Sequence, residues 1–357
     1  MRNTKTITDM KKIILATLAA ASLVACAQEN VIDSAKPEAI AFNNSFVDNT
    51  TKSIDPSITN DNLEGFLVYG TTQGDHADDA DVINIFKGLL VEGSYGNAWT
   101  YNEQYTQYWI KGNKYNFAAV VNSNTKADLD KTLVECDDNG MPEKLTYTAD
   151  GKTDLLYARS AEYTGLTSGN PQVAFTFDHL LSKVKFSFKN TTTVSEAANN
   201  YTYRVSNIVM TGTPAEATCD VIGYPTYVWT QTGTEVATTN YGHIVANGTG
   251  ANEAAVKVGP DTTKYSNNEN LVIPGTYNVN ITCTIELLIG DQVADVINYN
   301  ETTEVNLQQG VAYNFVLTGK LGEPIEFTVT KVKEWNNPAE EVPTPEDPTV
   351  NYPAEEE

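Results

Sequence analysis

Positive charge is scarce in this chain. Lys and Arg number 23 against 46 Asp and Glu, leaving a net charge of −23. A surface of that sign repels phosphate backbones and anionic membranes, so nucleic acid is excluded as a partner. Histidine is scarcer still: His76, His179 and His243 lie far apart, and no HExxH, GxSxG or P-loop pattern accompanies them. His179 reads as a structural residue at a strand end. Asp75, Asp78, Asp79 and Asp81 form an acidic loop whose spacing does not match an EF-hand, so it reads as a solvated loop. Asp137-Asp138-Asn139-Gly140 and Asp150-Gly151 read as turns. The sequence therefore points away from an enzyme and implies no cofactor and no metal.

Cysteine occurs four times, with no CxxC and no zinc spacing. Cys26 follows Leu23-Val24-Ala25 at the end of an uncharged run, Ile13 to Ala25, which is preceded by Arg2, Lys5, Lys11 and Lys12. A run of thirteen uncharged, almost all apolar residues is too short for the ~20 needed to cross a bilayer but suits the core of a signal peptide. A small residue immediately before Cys is what lipoprotein signal peptidase needs, so Cys26 is the expected lipidated N-terminus of the mature chain. Two or three acyl chains on one Cys hold firmly where one would not. Met10-Lys11-Lys12 is a compact signal start by itself, so Met1 and Met10 are alternative initiators. Loss of residues 1–25 removes four basic residues and one acid, moving the charge to −26. No later run is long and apolar enough to cross a membrane, which leaves the lipid as the expected anchor. Cys136, Cys219 and Cys283 remain, an odd number. A Cys219–Cys283 bridge and three buried thiols are the two alternatives, the second slightly preferred.

Helical periodicity is nearly absent. One segment, Lys126 to Cys136, places Leu129, Leu133 and Cys136 on one helical face and is the single expected helix. Elsewhere the period is two. Tyr277, Val279, Ile281, Cys283, Ile285, Leu287 and Ile289 alternate with Asn, Thr and Glu, as in a strand with one face in a core. Val311, Tyr313, Phe315 and Leu317 repeat the pattern, as do Tyr115, Phe117, Ala119 and Val121, and again Ile325, Phe327 and Val329. Ala39-Ile40-Ala41-Phe42 is a strand candidate standing alone. Many short strands with Gly, Asn and Asp turns give an all-β expectation of sandwich type.

From Val173 to Phe188 the apolar residues change phase. Val173, Phe175 and Phe177 sit on odd positions, while Leu180, Val184, Phe186 and Phe188 sit on even ones. A one-residue shift turns every side chain to the other face, so one strand cannot serve one core across it. The shift marks a crossing between two sandwiches. The expected organisation is a signal peptide over 1–25, a lipidated tether with a first strand and a loop over 26–53, sandwiches over 54–180 and 181–335, and a tail over 336–357. That tail is rich in Pro and acids and holds no basic residue, so it is expected to be extended. Trp99, Tyr101, Tyr105, Tyr108 and Trp109 cluster within eleven residues. They read as core aromatics first and as a sugar-stacking surface second.

In order and spacing these pieces resemble the fimbrillins, the lipoprotein pilins of Bacteroidetes-type bacteria. The resemblance is carried by Gly65-Phe66-Leu67-Val68-Tyr69-Gly70, Trp99-Thr100-Tyr101 with Tyr108-Trp109, and Tyr115-Asn116-Phe117-Ala118-Ala119-Val120. Further pieces are Asp154-Leu155-Leu156-Tyr157-Ala158, Phe175 to Val184, Leu271-Val272-Ile273-Pro274-Gly275, Gly310 to Phe315 and a closing Trp335. The resemblance implies two tandem transthyretin-like β-sandwiches at the cell surface. It implies a precursor carried to the outer membrane on its lipid, then cut by a protease in the loop after the first strand. Ala39 to Phe46 would be the removable strand and Lys52 the cut site, where the family more often has Arg. Loss of the strand would open a groove for an extended segment of another fimbrial subunit, joined head to tail. The donor would lie at or beyond Ile325, with Ile325, Phe327 and Val329 as its anchors. The alternative is a surface lipoprotein that does not polymerise, and instead binds glycans or anchors or caps a fimbria. Stalk, tip and anchor roles, the protease and any surface receptor are left open.

Overall fold

The structure is a computed structural model that describes residues 37–43, 46–47, 58–74, 81–194, 200–246 and 253–334. Strands form four sheets, and no α-helix occurs among the described residues. The fold is all-β, as the period-two alternation requires.

The first sheet has seven strands. Its main path runs Phe46–Val47, Thr176–His179, Leu156–Arg159, Lys114–Val121, Gly65–Gln73 and Val82–Glu92, with Tyr163–Thr164 paired to Lys114–Val121. Its central strands are apolar on both faces, because both are covered. Phe66, Val68, Phe117, Ala119 and Val121 enter one core together with Ile40, Phe42, Val173, Phe175 and Phe177. Leu67, Tyr69, Ala118 and Val120 enter another.

That second core is closed by a four-stranded sheet with strands drawn from distant parts of the chain. Val134–Cys136 and Pro142–Thr148 come from the first half, and Glu216–Asp220 and Val228–Gln231 from the second. Glu216 to Asp220 pairs antiparallel with Thr148 to Lys144. Tyr227 also donates a 2.7 Å hydrogen bond to Asp178. The expected crossing at 180/181 is thus spanned by a shared sheet.

The third core lies between two further sheets. One runs Ile244–Val245, Thr262–Val272, Ser182–Asn190, Val311–Gly319 and Glu326–Glu334. The other runs Val236–Gly242, Tyr201–Pro214, Gly275–Ile289 and Gln292–Leu307. Val184, Phe186 and Phe188 enter this core, along with Val279, Ile281, Cys283, Ile285, Val311, Tyr313, Phe315 and Leu317. The phase change is where the chain leaves one core for another. Phe177 ends in the first, Leu180 and Leu181 in the shared one, and Val184 onward in the third.

The expected helix at Lys126–Cys136 is absent. Two 3-10 turns, Lys126–Asp128 and Lys131–Leu133, lead into the strand Val134–Cys136. Asn122 competes with helix formation: its side chain donates to Asp130 O at 2.6 Å and accepts from Asp130 N at 3.1 Å. The Asp130 carboxylate then accepts from Thr132 N at 2.8 Å. Short polar side chains here supply local hydrogen bonds that a helix would have taken.

Candidate functional site

The first described segment lies as a strand in a groove of the first core. Ile40 N donates to Gln107 O at 2.8 Å and Trp109 N to Glu38 O at 2.9 Å on one side. Asn43 N donates to Val173 O at 2.9 Å and Val173 N to Ala41 O at 2.8 Å on the other. Ala39 faces Tyr108 and Phe42 faces Trp99 in antiparallel bridges, while Phe42 runs parallel to Val173. Phe46 and Val47 continue parallel to Thr176 and Phe177.

Alternation turns Ile40 and Phe42 inward, where they are 0% and 2% exposed. The Phe42 ring contacts Phe66, Phe86, Tyr101, Phe117 and Phe175 at centroid distances of 5.8–6.3 Å. Tyr101 Oη donates to Ile40 O at 2.6 Å. Two fully buried apolar side chains contribute roughly 1.5–3 kcal/mol each. Emptying the groove would expose that apolar floor and leave backbone donors and acceptors unpaired on both walls.

Two polar clasps hold the ends of this region. The Glu38 carboxylate accepts from Gly169 N at 2.8 Å, Asn170 N at 2.7 Å and Asn170 Nδ2 at 2.7 Å. Hydrogen bonds from the Asn170 and Gly169 backbone, then from the Asn170 side chain, hold its carboxyl below its ordinary value. After the undescribed residues 48–57 the chain re-enters at Ile58, whose N–H donates to Asp154 Oδ2 at 2.9 Å. The same oxygen is 2.9 Å from His179 Nδ1, and Asp154 Oδ1 accepts from Leu155 N at 2.9 Å. Asp154 and His179 are both fully buried. His179 does end its strand, Thr176–His179. Sequence reasoning passed over Glu38, and named Asp154 only as part of a motif without a role. Each is an isolated acid opening an apolar stretch, and that position was the available signal.

The expected donor residues lie at the far end of the chain. The strand Glu326–Glu334 is the edge of its sheet and pairs with Val311–Gly319. Ile325 and Phe327 are half-buried and pack against the third core, with Phe327 edge-on to Phe315 at 5.4 Å. Val329 is 40% exposed. Ile325 and Phe327 are thus spaced like Ile40 and Phe42 but lie on an edge strand with shallower burial.

Cys26, Lys52, His76, Trp335 and the tail 336–357 lie outside the described residues. Trp99 and Trp109 are buried in the first core, so neither presents a face for sugar stacking; that reading is withdrawn. Cys219 and Cys283 are free thiols in different cores, and Cys136 is free as well. Burial pushes the Cys219 and Cys283 thiols up to about 12. Among the described residues no group of three His, Cys, Asp or Glu could hold a metal ion, and no helix is long and apolar enough to cross a membrane.

A family model described as fimbrillin-like matches residues 50–335. Among solved structures, a fimbrial protein from Bacteroides vulgatus is similar with a TM-score of 0.56 and 14% identity, covering 83% of this chain and 99% of that one. A fimbrial assembly protein from Parabacteroides distasonis is similar with a TM-score of 0.36 and 12% identity, covering 83% and 97%. No curated protein matches the chain.

Proposed function

The chain belongs to the fimbrillin-like family, and from that membership we propose that it is a structural subunit of a cell-surface fimbria assembled by strand exchange. In this reading Cys26 carries the lipid that takes the precursor to the outer membrane. A protease cuts after Lys52. The fragment from Cys26 to Lys52, including the Glu38–Asn43 strand, then leaves.

The observation that supports the reading is the seating of that strand. Glu38–Asn43 is held by backbone hydrogen bonds to two separate walls, and it covers an aromatic core floor with Ile40 and Phe42. It is joined to the rest of the fold through the segment containing Lys52. An opened groove has unpaired backbone groups and bare apolar surface, and a donor strand satisfies both at once. Ile325-Glu326-Phe327 repeats the Ile40-Ala41-Phe42 spacing, so Ile325 and Phe327 are suited to the two vacated positions, with Val329 next on the same face. Such a contact is heterologous and builds an open fibre.

Lysine-specific proteolysis of purified precursor tests this. Cleavage after Lys52 should yield high-molecular-weight ladders that resist mild SDS, and Lys52→Ala should abolish them. Cleavage at Lys52 without any polymer would overturn the stalk-subunit reading. The alternative of an anchor or cap is favoured by the tail over 336–357, whose Pro-rich and acidic sequence makes a poor donor strand.

A further inference from the structure

Around the point where the first segment enters the fold, four apolar side chains face outward. Tyr105, Tyr108, Ile110 and Leu166 are 51%, 49%, 56% and 49% exposed. They form one face. Tyr108 and Ile110 flank the buried Trp109 on the outer side of an extended stretch, and Tyr105 ends the short turn just before it. Gly112 N donates to Gly165 O at 2.9 Å, and a Cβ on Gly165 would fall 2.0 Å from Ile110 O. This close approach brings the segment carrying Leu166 against the backbone of Ile110. Glu38 sits at the same place, bonded to Trp109 N through its carbonyl and to Gly169 and Asn170 through its carboxylate.

We propose that this face rests on a zwitterionic lipid bilayer while the chain is tethered through Cys26. The inference rests on the lipoprotein reading of Cys26. Ten residues separate Cys26 from Pro37, a reach of about 35 Å at full extension, so the lipid holds the face close to the membrane. Tyrosines with apolar rings and polar tips suit the headgroup level, and Ile110 and Leu166 supply the apolar contact. The acidic chain is repelled by an anionic surface, which selects a zwitterionic one. A second copy of the chain is less favoured, since the face surrounds the tether's point of entry.

The test uses full-length lipidated protein on phosphatidylcholine vesicles, with acylation of Cys26 verified by mass spectrometry. Amides of 104–110 and 163–168 should exchange about tenfold more slowly on vesicles than in the unlipidated chain free in buffer. The slowing should vanish in vesicle-bound Tyr108→Ser/Ile110→Ser/Leu166→Ser protein. Unchanged exchange of Lys114–Val121 would report that this variant is folded. Equal exchange with and without vesicles, with acyl chains present on Cys26, overturns the proposal alone. Protection that rises with protein concentration in the absence of vesicles identifies a second copy and also overturns it. A Cys26 without acyl mass removes the tether, and with it both this proposal and the lipoprotein reading beneath it.

Discussion

Phe42 stacks on Phe175, with ring centroids 6.1 Å apart and planes 18° from parallel. The two rings come from a segment that the proposed maturation removes and from the stretch leading into Thr176–His179, which stays. Their contact makes the first segment part of the core of the precursor. Phe42→Ala should therefore destabilise the precursor by about 3–5 kcal/mol, read from urea unfolding. The same substitution cannot affect a chain already cut after Lys52, which no longer contains Phe42.

Glu38 makes the hold on that segment pH-dependent. Its folded carboxyl lies below the ordinary value of 4.5. A depressed folded value contributes stability that is complete above the unfolded value and is lost as pH falls through the folded one. Amide exchange at residues 38–43 should accelerate as pH drops below about 4.5, relative to the intrinsic rate at each pH. Glu38→Gln should remove that pH dependence, and an unchanged profile in Glu38→Gln would assign it elsewhere.

Asp154 joins the re-entry point of the chain to His179. Its removal leaves Ile58 N and Leu155 N without their buried carboxylate, and separates His179 from it. Asp154→Ala should cost about 3 kcal/mol or more in denaturant unfolding. His179→Ala leaves the backbone bonds to Asp154 in place and should cost less than Asp154→Ala.

The buried thiols give a chemical readout. With Cys219 and Cys283 raised to about 12 by burial, native protein at pH 8 should resist alkylation at both. Both should react after denaturation without prior reduction, because neither is bridged. Masses that require a reductant before alkylation would contradict the free-thiol structure.

The shared sheet predicts dependence between the two halves. A fragment ending at residue 180 lacks Glu216–Asp220 and Val228–Gln231. It exposes Leu67, Tyr69, Val120, Leu145 and Tyr147, which the intact chain buries. Such a fragment should bind a hydrophobic dye and aggregate, and adding back the 181–334 portion should suppress both. A fragment that is monomeric and dye-silent would show that the first half folds unaided.

The alternation was legible as the set of positions on each strand that face one core. Tyr115, Phe117, Ala119 and Val121 all face the first core, and Val311 to Leu317 face the third. The phase change at His179–Leu180 was legible because side-chain direction in a strand has a strict period of two. The helix expected at Lys126–Cys136 was misread because apolar spacing there does not reveal what Asn122 and Asp130 do to the backbone. Trp99 and Trp109 were ambiguous for a related reason, since residue type does not say which side of a strand water occupies.

By itself the sequence determined the all-β class and the need for more than one core. These follow from local period, length and charge, which a linear chain carries. Only the tertiary structure decided that Glu216–Asp220 completes a sheet begun by Pro142–Thr148, that Glu38 clasps Asn170, and that Ile40 and Phe42 fill a groove between Trp99 and Val173. Those pairings join residues 57 to 132 positions apart, and pairing across such distances leaves no periodic trace in the chain.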